Sequence, residues 1–407
     1  MSEKIKCAML QGTFFMFFCL AFAFNTYYLG TAGFSDRATG ILISVSCLAG
    51  GLLQAAAGRM ADRNPVFIWK NQVIVLAIAE AVLSAALYFT GKGLAAGIIF
   101  GCMMALSLPM VPMINMATFY YSEHGVPVDY GMARGTGSMS FAVMSYIAGK
   151  ATVMWGSRMV TVLAVISAVA ILATALSMPM YKTSTDDAEK KREAALAGQM
   201  SASERMDHRH GILRKYPVFT AMIMGIFLLM FMHNVVCTYM IRIVEAVGGN
   251  SGSMGTAMAI AAATELPMMF VYGRMVKRFK LSDAAFITIA GLFYIFRGVL
   301  FVMAGSVGMI FFIQAFQGMS YGLLAVSRSN YANKCMDAED QSTGQSLAAM
   351  TESIGALTGS LAGGLLIASA GVRVMLMAAA AAAAAGTLIT FICGRHKSAK
   401  GSEGQVA

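Results

Sequence analysis

Charge is what this sequence has least of. Only 12% of its 407 residues are Asp, Glu, Lys or Arg, about half the share of a soluble globular chain. So few charges cannot coat the two or three water-facing domains that this length would otherwise hold. Paired cysteines are missing too: seven are present, with no C-x-x-C and no metal-ligand spacing, and most lie in apolar runs. That excludes a disulfide framework and a zinc site. No G-x-x-x-x-G-K-[ST] occurs, so a nucleotide-driven pump lacks its phosphate loop, and no H-E-x-x-H supplies a metalloprotease site. A net charge of +10 would suit nucleic acid if it formed a basic stripe. Here it is scattered through short loops, which argues against a nucleic-acid partner.

Apolar residues make up 58% of the chain, with 35 Met and 41 Gly. They form runs at 7–30, 38–58, 68–90, 94–119, 134–156, 159–181, 216–241, 252–273, 283–304, 307–327, 343–369 and 372–394. These are numbered below as spans 1 to 12. Each approaches the roughly 20 residues a bilayer-crossing helix needs. They are about twice as long as barrel strands and do not alternate. Backbone polar groups in lipid then require helix. Ala21-Phe22-Ala23 faintly resembles a signal-peptide cleavage site. Span 1 is read as retained, because losing it would leave an odd helix count. The expected class is all-α, a polytopic membrane protein with twelve transmembrane helices in two six-helix bundles.

Orientation follows from the basic residues. With both termini in the cytoplasm, 22 of the 30 Lys and Arg fall inside, and only Arg37, Lys92, Arg158, Arg242 and Arg373 fall outside. The other three lie within helices. This is a positive-inside pattern. It predicts a multi-pass plasma (inner) membrane protein with both ends cytoplasmic.

The one long polar stretch, Lys182 to Lys215, has mixed charge and few anchoring apolar residues. It reads as a solvated cytoplasmic linker, or alternatively as a regulatory helix. It separates an N-terminal bundle (1–181) from a C-terminal bundle with its tail (216–407). Gly58-Arg59-Met60-Ala61-Asp62-Arg63 after span 2 is echoed by Gly273-Arg274-Met275-Val276-Lys277-Arg278 after span 8. Gly40 matches Gly255 at the same offset, which points to a duplicated six-helix unit of the kind that builds secondary transporters.

Twelve helices, a central loop and G-x-x-x-D-R after span 2 together resemble the major facilitator superfamily. The resemblance implies that Gly58, Asp62 and Arg63 form a gating motif that latches one state. Asn64-Pro65-Val66 departs from the usual Gly-Arg-Arg continuation. Pro127-Val128-Asp129-Tyr130-Gly131-Met132-Ala133-Arg134-Gly135-Thr136-Gly137-Ser138 is similar to the signature of the phenylpropionate permease-like group. Lactose permease and the nucleoside–proton symporters are more distant members of that group. Pro109-Met110-Val111-Pro112, Glu265-Leu266-Pro267 and Arg297 agree with it.

Six ionisable groups are read as lying inside the bilayer: Glu80, Arg134, Lys150, Glu265, Arg297 and Glu352. Each is costly there unless paired or wetted. Glu265 and Arg297 fall near mid-span in spans 8 and 9. Proton coupling needs a buried carboxylate whose proton affinity a movable cation can change. The resemblance places these two in the substrate- and proton-coupling network; a static ion pair is the alternative. Span 10 carries Gln314, Gln317 and Ser320 where lactose permease has titratable groups. The coupling proton would then sit on Glu265, Glu352 or Glu80, and the two glutamines are candidates for binding substrate or for plain polar lining. Glu352 is a second candidate proton site, or a partner of Arg297 or His233. His233 is a candidate shuttle or a packing residue.

Arg134 belongs to the signature, and the resemblance gives it a substrate-binding role with an acidic partner in span 4. The aligned residue here is Asn115. An Arg without that partner suits a carboxylate substrate, held by two parallel hydrogen bonds. Asn25, Tyr27 and Tyr28 in span 1 offer polar edges and aromatic faces to a substrate, or sit at the membrane interface. Lys150 is placed to snorkel, and no role is assigned to Glu80. The expectation is a secondary active transporter, not an enzyme and without a cofactor. It takes up an organic acid, sugar or nucleoside with a proton by alternating access, as a monomer. Efflux antiport and a non-transporting membrane sensor are the alternatives.

Overall fold

The computed structural model describes residues 2–63, 69–128, 130–181, 211, 213–337 and 340–403, without the side chains of 59, 61–63, 130, 342 and 396–403. Among the described residues helix is the only regular element. Span 1 is Glu3–Phe22, continued after a break by Asn25–Thr31. Spans 2 to 6 are Asp36–Arg63, Trp69–Thr90, Leu94–Glu123, Tyr130–Trp155 and Arg158–Ser177. Span 7 is Pro217–Thr238, extended by Met240–Glu245; span 8 is Ser251–Phe279 and span 9 is Asp283–Met303. Span 10 is built in three pieces: Val307–Gln314, a π-helical turn Gly318–Gly322, and Leu323–Cys335. Spans 11 and 12 share the helical run Gln341–Glu403, broken at Gly371, whose φ of 82° no helix accommodates.

Among the described residues ten stretches are long and apolar enough to cross a bilayer. One of them, Thr343–Arg395, holds both spans 11 and 12. Tyr130–Trp155, diluted by Arg134, Lys150 and its glycines, supplies the span that hydropathy passes over. The result is the expected twelve-helix protein. Many large apolar side chains point outward, among them Phe89 and Leu94, as lipid-facing residues do.

The chain clusters into two compact units, Met1–Gln199 with Asn250–Ala259, and Met200–Gly249 with Ile260–Ala407. The sequence boundaries put all of span 8 in the C-terminal bundle. Its first nine residues cluster with the N-terminal unit, where glycine meets glycine. A Cβ added to Gly255 would lie 2.3 Å from the carbonyl oxygen of Ser145. Helices in lipid gain little from hydrophobic burial and associate through such small-residue contacts and hydrogen bonds. In the other unit Gly355, Gly359 and Gly363 likewise seat span 11 against Met230, Phe231 and Tyr239 of span 7 and its extension. The Tyr239 hydroxyl donates to the Ser360 carbonyl at 2.6 Å.

At the end of span 6 the last carbonyls, which no helical N–H can reach, are capped by side chains. Lys6 bonds Ser177, Lys70 bonds Met178, Tyr121 bonds Pro179 and Tyr120 bonds Tyr181. Spans 1, 3 and 4 thereby fix the point where the chain leaves for the linker. The linker expected at 182–215 lies outside the described residues from 182 to 210. So do the side chains of Asp62 and Arg63. Gly58 lies in the span 2 helix with open space at its Cβ position.

A second fastening joins the start of span 7 to the end of span 10. Lys215 Nζ lies 2.9 Å from Asp337 and 2.8 Å from Asp340, and the Tyr216 hydroxyl, with one proton to donate, lies 2.7 and 2.9 Å from the same two carboxylates. The Tyr216 hydroxyl, aided by Lys215, holds the Asp337 carboxyl below its ordinary value, and hydrogen bonds to Asp340 and Asp337 raise Lys215. A depressed carboxyl contributes stability above its unfolded value, about 3.9, and loses it as pH falls through the depressed one. A raised lysine contributes below about 10.4 and loses it as pH rises through the raised value. Lys215→Met is therefore expected to lower the melting temperature between about pH 4 and 10, and to match the parent below that range. Melting curves of the two proteins across pH check it.

Candidate functional site

The polar side chains of the C-terminal unit gather on five spans. Glu265 is the midpoint of the span 8 helix, fourteen residues from each end, so about 21 Å along it either way. It is half-buried. Span 10 reaches it because Gly318 has no side chain: a Cβ there would sit 2.2 Å from the Thr264 carbonyl oxygen. The Gly318 N–H donates to Thr264 Oγ1 at 3.2 Å. This close approach sets Gln317 Nε2 3.1 Å from Glu265 Oε1 and 3.3 Å from His233 Nδ1.

Arg297, on span 9, has partners of its own on span 10. Its guanidinium donates to Ser320 Oγ at 2.7 Å and to Gln314 Oε1 at 2.6 Å, lies over the Phe301 ring, and is 2% exposed. Gln314, Gln317 and Ser320 are spaced i, i+3 and i+6, so they share one helical face. That stripe takes both the acid and the base as hydrogen-bond partners.

Glu352 also finds a partner that was not expected. It accepts from Arg328 at 2.5 Å and from the Tyr321 hydroxyl at 3.0 Å, instead of pairing with Arg297 or His233. Arg328 reaches Thr351 as well. Its side chain is 10% exposed, that of Glu352 42%. Sequence reading missed Arg328 because span 10 was drawn to end at 327, one residue short. The helix runs on to Cys335. Continuing the polar stripe from Gln314 and Tyr321 by one more heptad step would have found it. His233 stacks on Tyr321, ring centroids 4.3 Å apart, and meets Tyr294 edge-on. Its Nε2 lies 3.7 Å from Cys237 Sγ.

Gly318-Met319-Ser320-Tyr321-Gly322 has the G-x-S-x-G spacing of a hydrolase nucleophile, against the sequence-based reading that no such string is present. That chemistry needs a sharp strand-to-helix elbow. Here the string is a π turn inside a helix, and Ser320 bonds Arg297 and the span's own carbonyls.

The remaining candidates lie in the N-terminal unit. Gly137 leaves room for the Phe15 ring, and the Arg134 guanidinium lies 4.1 Å above that ring. Arg134 also donates to Ser138 at 3.1 Å. The signature residues Arg134, Gly137 and Ser138 thus act as one unit that holds a cation against an aromatic face. Among the described residues no carboxylate lies within ion-pair distance of Arg134. Asn115 accepts from Gln11 at 2.9 Å. Asn25 is buried and bonds the backbone N–H of Thr26, and Tyr28 stacks on Phe100. Glu80 is fully buried: Oε1 contacts Ser107 at 3.1 Å, and Oε2 has no partner among the described residues.

Residues 7–378 match the MFS_1 like family. The chain belongs to that family. A maltose permease of Geobacillus stearothermophilus is 23% identical over 395 residues, 96% of this chain and 94% of the permease. Among solved structures, a variant of the nucleoside transporter NupG is 14% identical with a TM-score of 0.81, covering 96% of this chain and all of NupG. A peptide transporter POT variant in complex with alafosfalin has a TM-score of 0.72 at 11% identity, over 96% of this chain and 93% of its own. These structures carry the fold. The protein is a multi-pass membrane transporter of the major facilitator superfamily.

Proposed function

We propose that this MFS_1-like transporter takes up a small organic solute together with a proton by alternating access, across a plasma membrane that places both termini in the cytoplasm, and that it works as a monomer. The observation that carries the reading is the setting of Glu265. It lies half-way along span 8, hydrogen-bonded to a neutral amide, while the nearby guanidinium of Arg297 is engaged elsewhere. A carboxyl so placed, at mid-span against a neutral hydrogen-bond partner, can gain or lose a proton. Glu352, held by Arg328, is the less mobile of the two carboxylates.

For the substrate we favour a carboxylate. Arg134 rests on Phe15 and, among the described residues, donates to Ser138, which leaves guanidinium N–H groups for two parallel bonds to an anion. A second reading, a neutral sugar, is supported by the full-length similarity to maltose permease. It would give Asn115, Gln314 and Gln317 the recognition role. A thermal-shift screen with organic acids, oligosaccharides and nucleosides separates the two, since ligand at 100 times its Kd stabilises by about 2.7 kcal/mol. Arg134→Gln is expected to weaken a carboxylate ligand about tenfold to a hundredfold, the loss of a charge-assisted bond of about 1.5–3 kcal/mol, and to leave sugars nearly unchanged. Equal losses for acids and sugars would remove the anion preference.

A further inference from the structure

The three-way contact at Gln317 constrains protons as well as positions. A carboxamide nitrogen can only donate, and it has two hydrogens. With Nε2 at 3.1 Å from Glu265 and 3.3 Å from His233 Nδ1, both hydrogens are used, one on each neighbour. Glu265 Oε1 therefore accepts, and His233 Nδ1 is bare. The imidazole proton then lies on Nε2, facing the weak acceptor Cys237 Sγ. Gln317 Oε1 is buried and has no hydrogen-bond partner among the described residues.

A proton added to Glu265 Oε1 would set an O–H against an N–H. Turning the carboxamide by 180° resolves the conflict by bringing Oε1 to the same place, where it accepts from the protonated carboxyl. The turned oxygen then faces His233 Nδ1, and that contact needs Nδ1 to carry a proton. Each amide orientation is thus satisfied by one combination of proton positions on the two atoms it meets, Glu265 Oε1 and His233 Nδ1. Mixed combinations set donor against donor, or acceptor against acceptor. The element is bistable, and both neighbours bias it.

We propose that Gln317 is an amide switch that couples protonation of Glu265 to protonation of His233 at Nδ1. This rests on reading Glu265 as the proton site. The other titratable or charged groups around the switch come from every span packed on it. Span 7 contributes Cys237, span 9 Tyr294 and Arg297, span 10 Tyr321 and Arg328, and span 11 Glu352. Arg297 is committed to Gln314 and Ser320, and Glu352 to Arg328 and Tyr321. Glu265 and His233 are the groups that share the amide. Because His233 stacks on Tyr321, whose hydroxyl holds Glu352 at 3.0 Å, a change at the imidazole passes directly to the second carboxylate.

The test uses full-length protein in lipid nanodiscs, labelled with 15N-histidine. The His233 resonances are assigned by their loss in His233→Asn, and the Glu265 carboxyl is followed by the infrared band that disappears in Glu265→Gln. In the parent protein, Nδ1 should pass from bare to protonated over the same pH interval in which the Glu265 band appears. Gln317→Leu, or Gln317→Met if the leucine variant does not fold, should separate the two midpoints by about one pH unit, a tenfold linkage. A Glu265 band that titrates while Nδ1 of His233 stays unchanged would overturn the switch alone. Absence of a Glu265 band at every pH would overturn the proton-site reading beneath it. Midpoints that coincide in the parent and stay together in both Gln317 variants would also overturn the switch, since the amide would then carry nothing.

Discussion

Glu265→Gln protein in proteoliposomes is expected to exchange labelled substrate across the membrane at close to the parental rate, and to accumulate none against a gradient. Glutamine matches the protonated carboxyl in shape and neutrality, so the variant is fixed in the proton-loaded form. Exchange of one substrate molecule for another needs no proton to leave. Net uphill movement does. With one proton per solute, an imposed difference of one pH unit supports about tenfold accumulation. The ratio should fall to about one in the variant. Glu265 also sets the position of Gln317, and a glutamine at 265 can still hydrogen-bond it, so loss of exchange is not expected. Undiminished accumulation in Glu265→Gln would move the proton site elsewhere, with Glu352 the next group to test.

The second large effect concerns Arg328 and Glu352. Glu352→Leu removes the carboxylate from an Arg whose side chain is 10% exposed. An uncompensated buried charge costs about 3–5 kcal/mol. The open side of Glu352, 42% exposed, lets water reach the pair, and about 1–3 kcal/mol is the better expectation. Arg328→Met should cost less, because the carboxyl it frees is the wetter partner and can take up a proton. The double substitution should be more stable than Glu352→Leu alone, since it removes both charges. A double-mutant cycle read by thermal unfolding measures this. Additive single effects would mean that the 2.5 Å contact contributes no coupling.

Much of the fold was legible in the sequence because the bilayer permits so few solutions. A run of some twenty apolar residues has to become a helix, and the repeat at Gly58 and Gly273 divides the helices into halves. Two features are faint in mean hydropathy. The start of span 5 is diluted by Arg134 and its glycines, and spans 11 and 12 turn at Gly371 within one continuous apolar stretch. The sequence reading drew both from the apolar pattern itself, as runs at 134–156, 343–369 and 372–394.

The candidate site was less legible, for a physical reason. Periodicity gives the face of a helix on which a side chain lies, but it does not give the register of that helix against its neighbour. Glu265 and Arg297 were both found as ionisable groups at mid-span. That Gln314, Gln317 and Ser320 would take them as separate partners depends on Gly318 docking against Thr264, and on a π turn that a hydropathy profile cannot register. Arg328 was lost to a boundary drawn one residue early. In the N-terminal unit the signature residues were recognised by resemblance, whereas their geometry, a glycine seating the phenylalanine on which the arginine rests, needed coordinates.

Proton coupling is tested most directly with the parent protein, reconstituted in proteoliposomes and given the solute that stabilises it best in the thermal screen. An inward proton gradient is imposed and internal solute is followed with and without a protonophore. The expected result is transient accumulation above the external concentration, abolished by the protonophore and absent when the gradient is reversed. Solute that only equilibrates, at a level indifferent to the gradient, would contradict proton-coupled uptake, and gradient-driven extrusion would replace it with antiport.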